Sequence, residues 1–548
     1  MSKKKLPWYL LVLMICFWVV VNLAWQLKND QVPAWDQAGN VRISWEFYNL
    51  ALGKTSEKET FWNISTYYPP LMHLIGAGVF LALGPAVKLL AFWETVYFVG
   101  LLVGGYLLIR DLFEDEWTGL AGAFTLGFMP IIFENSRSFL LDLPMLMWLV
   151  WLMWLILKSN FLQHRKYSLW VGVATSGLLL TKWTGIVYLV VPGLFLIGDQ
   201  LKKKNLNKKF FINLGLILLI VGGLVLPWYI VNLKSIMAIG GIALTGEIGD
   251  PQALWSLENL FYYLGQILNF QIGLWPALVF LACFGGYLCF KNKYRALLGG
   301  YFLFGYVVFT FIQNKDIRYT IPLLLPLAIT YGYFLVKMWR ERKIGRAMVL
   351  TITSLYLVSY CLIMSFGLLP SYQRAVKLGP LGWIDYVNTD DIAIKRPKEN
   401  TSPIKEITDD LIDLTSRTEM KPAVPVFFGI DLSDLNPANA NLYLLKNAHD
   451  YRDRVNVIGF DILAASFGSE AEVARYLEDF DFFVVKANEI GVDASRQMTN
   501  LEMIRDYLRV GDEEGSEGGE INDKYELIKA YAYGDDEQEK VFLYRKRV

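Results

Sequence analysis

Charge is what this 548-residue sequence has little of: Asp, Glu, Lys and Arg make up 19% of it, against about a quarter in soluble domains. Apolar residues take up the difference, at 54% with 15% aromatic, and mean hydropathy is +0.34. An ordinary soluble protein is excluded and an integral membrane protein is indicated. Cysteine is scarce as well. Cys16, Cys283, Cys289 and Cys361 all fall in apolar segments, which excludes a disulfide framework and a CxxC metal site. The first apolar run, "LPWYLLVLMICFWVVVNLAWQ", follows Lys3 to Lys5 and lacks an A-x-A-like cleavage site, so it reads as a retained first helix. No GxGxxG or GxxxxGK[ST] lies at a strand end, so nucleotide binding is unsupported and nothing points to nucleic acid.

What charge there is has been segregated. Net charge is zero, yet residues 1 to about 370 are apolar stretches with basic punctuation, and residues 371 to 548 have an ordinary mixed composition. Two domains are expected, 1–370 in the membrane and 371–548 outside it.

The basic clusters fix the expected sidedness. They lie at Lys3 to Lys5, at Lys158, Arg165 and Lys166, from Lys202 to Lys209, from Lys291 to Arg295, and from Lys337 to Arg346. The positive-inside rule puts all of them in the cytoplasm. Spans near 8–27, 89–109, 117–134, 139–157, 167–181, 183–198, 211–231, 270–290, 296–312, 318–336 and 347–367 satisfy that rule throughout. The stretch "PPLMHLIGAGVFLALG", residues 69–84, is the exception. At about 1.5 Å per residue it falls short of a bilayer core of about 30 Å. If it crossed, every basic cluster after the first would move outside. It is therefore expected to be a juxtamembrane helix on the outer face, with Pro70 in its first turn. About eleven spans, a cytoplasmic N-terminus and an external C-terminal domain follow, in a plasma (inner) membrane. The loop stretch "DQAGNVRISWEFYNLALG" is expected to be a helix lying in the interface.

With that topology, the ionisable residues outside the basic loops gather at the outer face. Asp36 follows the first span; Arg137 starts the fourth, with Asp142 a turn further in; Lys315, Asp316 and Arg318 stand at the mouth of the tenth. Lys182 is the most telling. The chain goes out and returns between residues 167 and 198, leaving each arm only about 22 Å at helical rise, so Lys182 turns while still recessed in the membrane. Two readings stand. In one, Arg137, Lys182 and Arg318 line a cavity that holds an anion, a lipid phosphate being the natural candidate. In the other, Arg137 with Asp142 and Arg318 with Asp316 are structural ion pairs. Asp36 likewise has two readings, as an N-cap of a helix starting at Gln37 or as a catalytic carboxylate. His73 reads as a packed histidine, with no second His nearby to make a metal pair, and Glu94 sits near the outer end of the second span.

Five short motifs, "VPAWDQA", "YYPPLMHLI", "SRSFLLDLPM", "LTKWTG" and "KDIRYTIPLLLP", occur in that order. In order and topology they resemble the GT-C membrane glycosyltransferases, nearest the branch of protein O-mannosyltransferases and bacterial aminoarabinose transferases, glycosyltransferase family 39. The resemblance covers about residues 1 to 370. It implies a polytopic α-helical membrane protein of the GT-C fold and an inverting transfer of one sugar from a polyprenyl-phosphate donor to a lipid, glycan or protein acceptor on the outer face. In the same terms, Asp36 matches the catalytic base. Arg137, Lys182 and Arg318 match the cations that stabilise the departing lipid phosphate, and Tyr68 and Tyr319 fall within matched substrate-binding motifs. Asp142 matches a second acidic position that would orient Arg137 or help hold a divalent metal ion if one is used. Two departures stand out: the mannosyltransferases carry paired acids where this chain has Asp36 and Gln37, and Tyr68 replaces a histidine before the paired prolines.

In the C-terminal part, strand-like runs "AVPVFFGI", "VNVIGFD" and "DFFVVKA" alternate with helical "NPANANLYLLKNAH" and "EAEVARYLEDF", as in a soluble α/β domain with a partly parallel sheet. "GDEEGSEGGEINDKYE" reads as a solvated loop without EF-hand spacing. The alternative to a transferase is a secondary transporter or lipid flippase, but no internal repeat is visible and the charges stand at the rim of the bilayer, not its midplane.

Overall fold

A computed structural model describes residues 5–55, 59–245, 253–389, 394–416, 423–447, 455–459, 467–486, 496–508, 525–534 and 539–547. The acidic run "GDEEGSEGGEINDKYE" lies almost wholly outside the described residues.

Every expected span contains helix, the third in two pieces. The helices begin with α1, Leu6–Lys28, whose Trp18 is fully buried against Phe98, Phe128 and Phe133. Then come α2 (Trp35–Ala51), α3 (Leu71–Leu83), α4 (Val87–Phe113), α5 (Glu116–Gly127), α6 (Pro130–Asn135), α7 (Asp142–Lys158), α8 (Arg165–Thr181), α9 (Gly185–Lys202) and α10 (Lys208–Thr245). After them follow α11 (Leu257–Gln266), a π-helical turn over Ile267–Gln271, α12 (Leu274–Cys289), α13 (Arg295–Thr310), α14 (Leu324–Arg340) and α15 (Ile344–Phe366). Among the described residues six helices are long and apolar enough to cross a membrane: α1, α4, α9, α10, α14 with the turn before it, and α15. The chain is a multi-pass membrane protein.

Two spans differ from expectation for local reasons. The third breaks at Phe128 and Met129, because Pro130 disfavours helical geometry at the residue before it, and Met129 is extended at φ −72°, ψ 122°. The seventh runs on well past residue 231, with Pro227 inside it; its 38 residues exceed what a bilayer needs, the apolar tail "IMAIGGIALT" giving the helix no stop signal. The loop helix α2 is not simply interfacial. Its Val41, Trp45 and Phe47 are buried, and it packs between α3 and a helix of the C-terminal region. Helices α5 and α14 approach so closely that a Cβ on Gly332 would stand 2.6 Å from the backbone nitrogen of Gly122.

Beyond α15 a β1–β2 hairpin (Gln373–Lys377 and Trp383–Asn388) leads to α16 (Ile404–Ser416), β3 (Val424–Phe428), α17 (Pro437–Asn447), β4 (Val455–Ile458), α18 (Glu470–Leu477), β5 (Phe482–Lys486), α19 (Arg496–Tyr507), β6 (Tyr525–Tyr533) and β7 (Glu539–Lys546). The five-stranded sheet has the order β4-β3-β5-β7-β6. Strands β3, β4 and β5 are parallel and carry the three runs named from the sequence, while β7 and β6 add an antiparallel edge. All five residues of β5 are buried, as befits a strand covered on both faces. Helix α17 is the one that covers α2.

Candidate active site

The residues singled out in the sequence fall into two groups. The first converges where the start of α2, the α8–α9 turn and the loop after α13 meet. Lys182 terminates α8 in an extended conformation, three residues before α9 begins at Gly185, so it occupies the apex of a helical hairpin. Its Nζ meets Asp142 Oδ1 at 2.7 Å, and both side chains are almost completely buried, at 8% and 2% exposure. The Tyr319 ring centroid is 5.5 Å from the same Nζ.

Arg318 forms the second ionic centre. Its Nη2 donates to Asp36 Oδ2 at 2.7 Å, and its Nε lies 3.0 Å from both oxygens of Asp316. The Arg318 backbone N–H also donates to Asp316 Oδ1, at 2.8 Å. Burial alone would raise the Asp316 carboxyl, but the Arg318 charge and hydrogen bonds, joined by the Lys182 charge, hold it below the usual carboxylate range. Asp36 is not the N-cap: α2 already begins at Trp35, and no side chain caps it. The Asp36 carboxylate, 41% exposed, is given to Arg318 instead.

Aromatic groups wall this centre. The Tyr67 and Tyr68 rings lie 4.7 Å apart, tilted at 58°, and Tyr67 meets Trp183 at 6.0 Å. Burial first, and then the Asp36 charge, push the Tyr68 phenol well above its ordinary value, so it stays a hydrogen-bond donor. Tyr67 and Trp183 were not singled out in the sequence, although each adjoins a residue that was. Gln271, at the end of the π-helical turn, donates to Ile317 O at 2.6 Å and to Thr320 Oγ1 at 2.8 Å, bracketing Arg318. A π-turn at such a position is a frequent functional irregularity.

Arg137 belongs elsewhere. It is fully buried, pairs with Glu134 at 2.8 Å and with Ser365 Oγ at 3.2 Å, and is flanked by the rings of Trp25 and Phe133 at 4.5 and 4.3 Å. The ion pair of Arg137 with Asp142 that one reading offered is absent, because Asp142 is taken by Lys182 and Glu134 by Arg137. The pair of Arg318 with Asp316 is present. His73 is packed, its Nε2 3.1 Å from Asn40 Oδ1, and burial, then the Arg42 charge, lower it to about 3. Glu94 is fully buried, with no hydrogen-bond partner for either carboxyl oxygen among the described residues.

A divalent ion would need several carboxylate or imidazole ligands turned toward one point. Among the described residues no three His, Cys, Asp or Glu side chains come together to hold one. Asp36 and Asp316 share a guanidinium that already fills the cation position between them. These residues do not fit a metal ion.

The helical bundle thus carries its acid–base cluster at the end nearest the C-terminal α/β region. Residues 68–228 match the family model of the dolichyl-phosphate-mannose-protein mannosyltransferases. A solved structure of ArnT from Cupriavidus metallidurans bound to undecaprenyl phosphate is similar over 97% of each chain, with a TM-score of 0.57 and 14% identity. The archaeal oligosaccharyltransferase AglB from Archaeoglobus fulgidus, solved with an inhibitory peptide and a dolichol-phosphate, is similar over 89% of this chain and 70% of its own, with a TM-score of 0.53 and 12% identity. The arabinofuranosyltransferase AftD from Mycobacteria matches 98% of this chain but 40% of its own, with a TM-score of 0.59 and 13% identity. No curated protein matches by sequence. The GT-C fold that the five motifs implied is therefore the fold of this chain.

Proposed function

We propose that the protein transfers a sugar from a polyprenyl-phosphate donor to an acceptor hydroxyl, with inversion, at the outer face of the membrane. The observation that supports this most is the union of Asp36, Arg318 and Asp316 with the Lys182–Asp142 pair in one aromatic-walled site. The likeness to structures solved with undecaprenyl phosphate and dolichol-phosphate agrees with it.

In this mechanism Asp36 accepts the acceptor's hydroxyl proton as that oxygen attacks the anomeric carbon. The bond from that carbon to the phosphate oxygen breaks, and the lipid phosphate leaves with the electron pair. Arg318 and Lys182 neutralise it, the guanidinium offering a fork of donors and the ammonium a point charge. Arg318 is shared between two carboxylates, so a phosphate that takes one face of it releases Asp36 to act as base. Tyr68 and Tyr319 line the donor's path, and Asp142 orients Lys182. No step uses a metal ion.

The basic clusters between spans support a cytoplasmic N-terminus in a plasma (inner) membrane. On the same argument α3, 13 residues long, stays on the outer face, and residues 371–548 form an external domain over the site.

The test supplies labelled polyprenyl-phosphate sugars to purified protein and measures released polyprenyl phosphate, with Asp36→Asn as the control. Release should fall at least about 100-fold in the variant. Unchanged release would remove Asp36 from the reaction, and no release with any sugar would favour transport.

A further inference from the structure

Three apolar helices, α12, α14 and α15, leave a groove of about 620 Å³ between them. Its base is the buried Cys283, Met338 and Leu350, while Leu278, Phe290 and Val349 are exposed along its rim. Gly286 keeps it deep: a Cβ added there would meet only the Phe334 ring, at 3.6 Å and beyond. Phe334 and Met338 fall in the last two turns of α14, whereas Arg318 precedes its first. The groove and the candidate active site therefore lie toward opposite ends of the bundle.

From Leu278 to Phe290 the groove follows α12 for about 18 Å at helical rise, close to half of a bilayer core of about 30 Å. Arg346, in the first turn of α15, stands at the end near the α14–α15 turn. Among the described residues it is the one charged side chain that lines the groove, and it is exposed and makes no ion pair. Lys337 is at the same end, 4.8 Å over the Phe290 ring. The acids nearby are engaged: Glu341 by Lys343 at 2.6 Å and Lys337 at 3.8 Å, and Asp115 by Arg340 at 2.7 Å. A headgroup ammonium would find no carboxylate on these walls, whereas a phosphate would find a guanidinium with its donors unused.

We propose that this groove binds one anionic phospholipid, with its phosphate on Arg346 and an acyl chain laid along α12 toward Leu278. Length and charge both fit: an apolar channel as deep as one leaflet ends at a cation at headgroup level, the arrangement by which basic pockets between membrane helices take acidic lipids. A volume of about twenty liquid waters admits one chain. The site does not rest on the transferase reading, since none of its residues belongs to the Asp36, Arg318 and Lys182 cluster.

The test uses the full chain in detergent, with dioleoylphosphatidylglycerol or dioleoylphosphatidylcholine added, so that only the headgroup differs. Phosphatidylglycerol should raise the unfolding midpoint by at least about 2 °C more than phosphatidylcholine does. Native mass spectrometry should find one phosphatidylglycerol retained per chain. Arg346→Gln, at an exposed position, should abolish the difference between the lipids, and Arg346→Lys should keep part of it. Gly286→Leu, which fills the groove, should abolish it with Arg346 in place; if that variant does not fold, Arg346→Gln and the retained lipid decide alone. Equal midpoints with the two lipids in the wild type, no retained lipid, or an undiminished difference in Arg346→Gln overturns the proposal. So does a midpoint shift that undecaprenyl phosphate produces through Arg346 and phosphatidylglycerol does not, which would give the groove to an isoprenoid chain. A wild-type dimer that Gly286→Leu dissociates would put a second copy of the chain there, and overturns it as well.

Discussion

Arg318 holds Asp36 and Asp316 through two nitrogens: Nη2 lies 2.7 Å from Asp36 and 2.5 Å from Asp316, and Nε lies 3.0 Å from Asp316. The planar fork is what allows this, since Nε engages Asp316 as well. A lysine offers one compact ammonium and cannot bridge both acids while also reaching a phosphate. Arg318→Lys should therefore lower kcat/KM by about 100- to 1,000-fold. Its unfolding midpoint is the control, and full activity in a folded Arg318→Lys protein would remove the guanidinium from the reaction.

The same contacts make stability depend on acid. Asp316 is held below its ordinary carboxyl value in the folded chain, so between that lowered value and 3.8 the unfolded chain binds more protons. Stability then rises with pH through this window. The contribution is fully present above the unfolded value and is lost as pH falls through the folded one. Asp316→Asn, which cannot titrate, should be less stable than wild type at neutral pH. The gap should close as pH drops below about 4. Thermal unfolding in detergent from pH 2.5 to 6 reads this directly, and parallel curves for the two proteins would show that Asp316 does not carry it.

Lys182 and Asp142 make a different case, because both are almost wholly desolvated. Removing one partner strands a buried charge, at a cost of about 3–5 kcal/mol, whereas replacing both with apolar residues of similar volume is often close to neutral. Lys182→Met and Asp142→Leu should each lower the unfolding midpoint sharply, and the double variant should recover most of it. Activity should not recover in the double variant, since the ammonium that faces Tyr319 is gone. A double variant that is both stable and active would make the pair purely structural.

The sequence made the first of these centres readable because its members are charges set in apolar surroundings. Lys182 interrupts "LLLTKWTG", and the short arms on either side leave it nowhere to go but a buried apex. Arg318 and Asp316 adjoin in one loop, so their pairing was one of two open readings. Arg137 misled because Asp142 is the next acid after it, while its partner Glu134 precedes it on the short helix that follows the Pro130 break. That break was unforeseen, and with it the direction in which Arg137 points. Of the sheet, the parallel strands, β5 buried throughout, β3 mostly and β4 in part, announced themselves as apolar runs. The β6 and β7 edge did not: its strands are half exposed and carry charges such as Glu526, Lys529 and Arg545.

The C-terminal region should matter to catalysis through Trp35, the residue before Asp36. Trp35 has φ of 25°, in the left-handed range that a bulky residue adopts only under constraint. The constraint comes from the C-terminal region. The Trp35 indole donates to Asp431 Oδ1 at 2.9 Å, its amide to Ser433 O at 3.3 Å, and Asn439 Nδ2 donates to Pro33 O at 2.6 Å. Such strain costs about 1–3 kcal/mol and persists only where neighbours over-determine it. Asp431→Ala removes one of those neighbours and touches no group assigned to the reaction, so the first turn of α2 should relax and carry the Asp36 carboxylate out of line. A displacement of that kind is worth about 10- to 100-fold in kcat, with KM for the donor changed less than about twofold. Trp35→Phe keeps an aromatic ring, though a smaller one, but loses the indole donor, and should match Asp431→Ala; combined with it, it should add little, since both remove the same hydrogen bond. Independent, additive losses in the double variant would mean that Trp35 and Asp431 do not position Asp36 together.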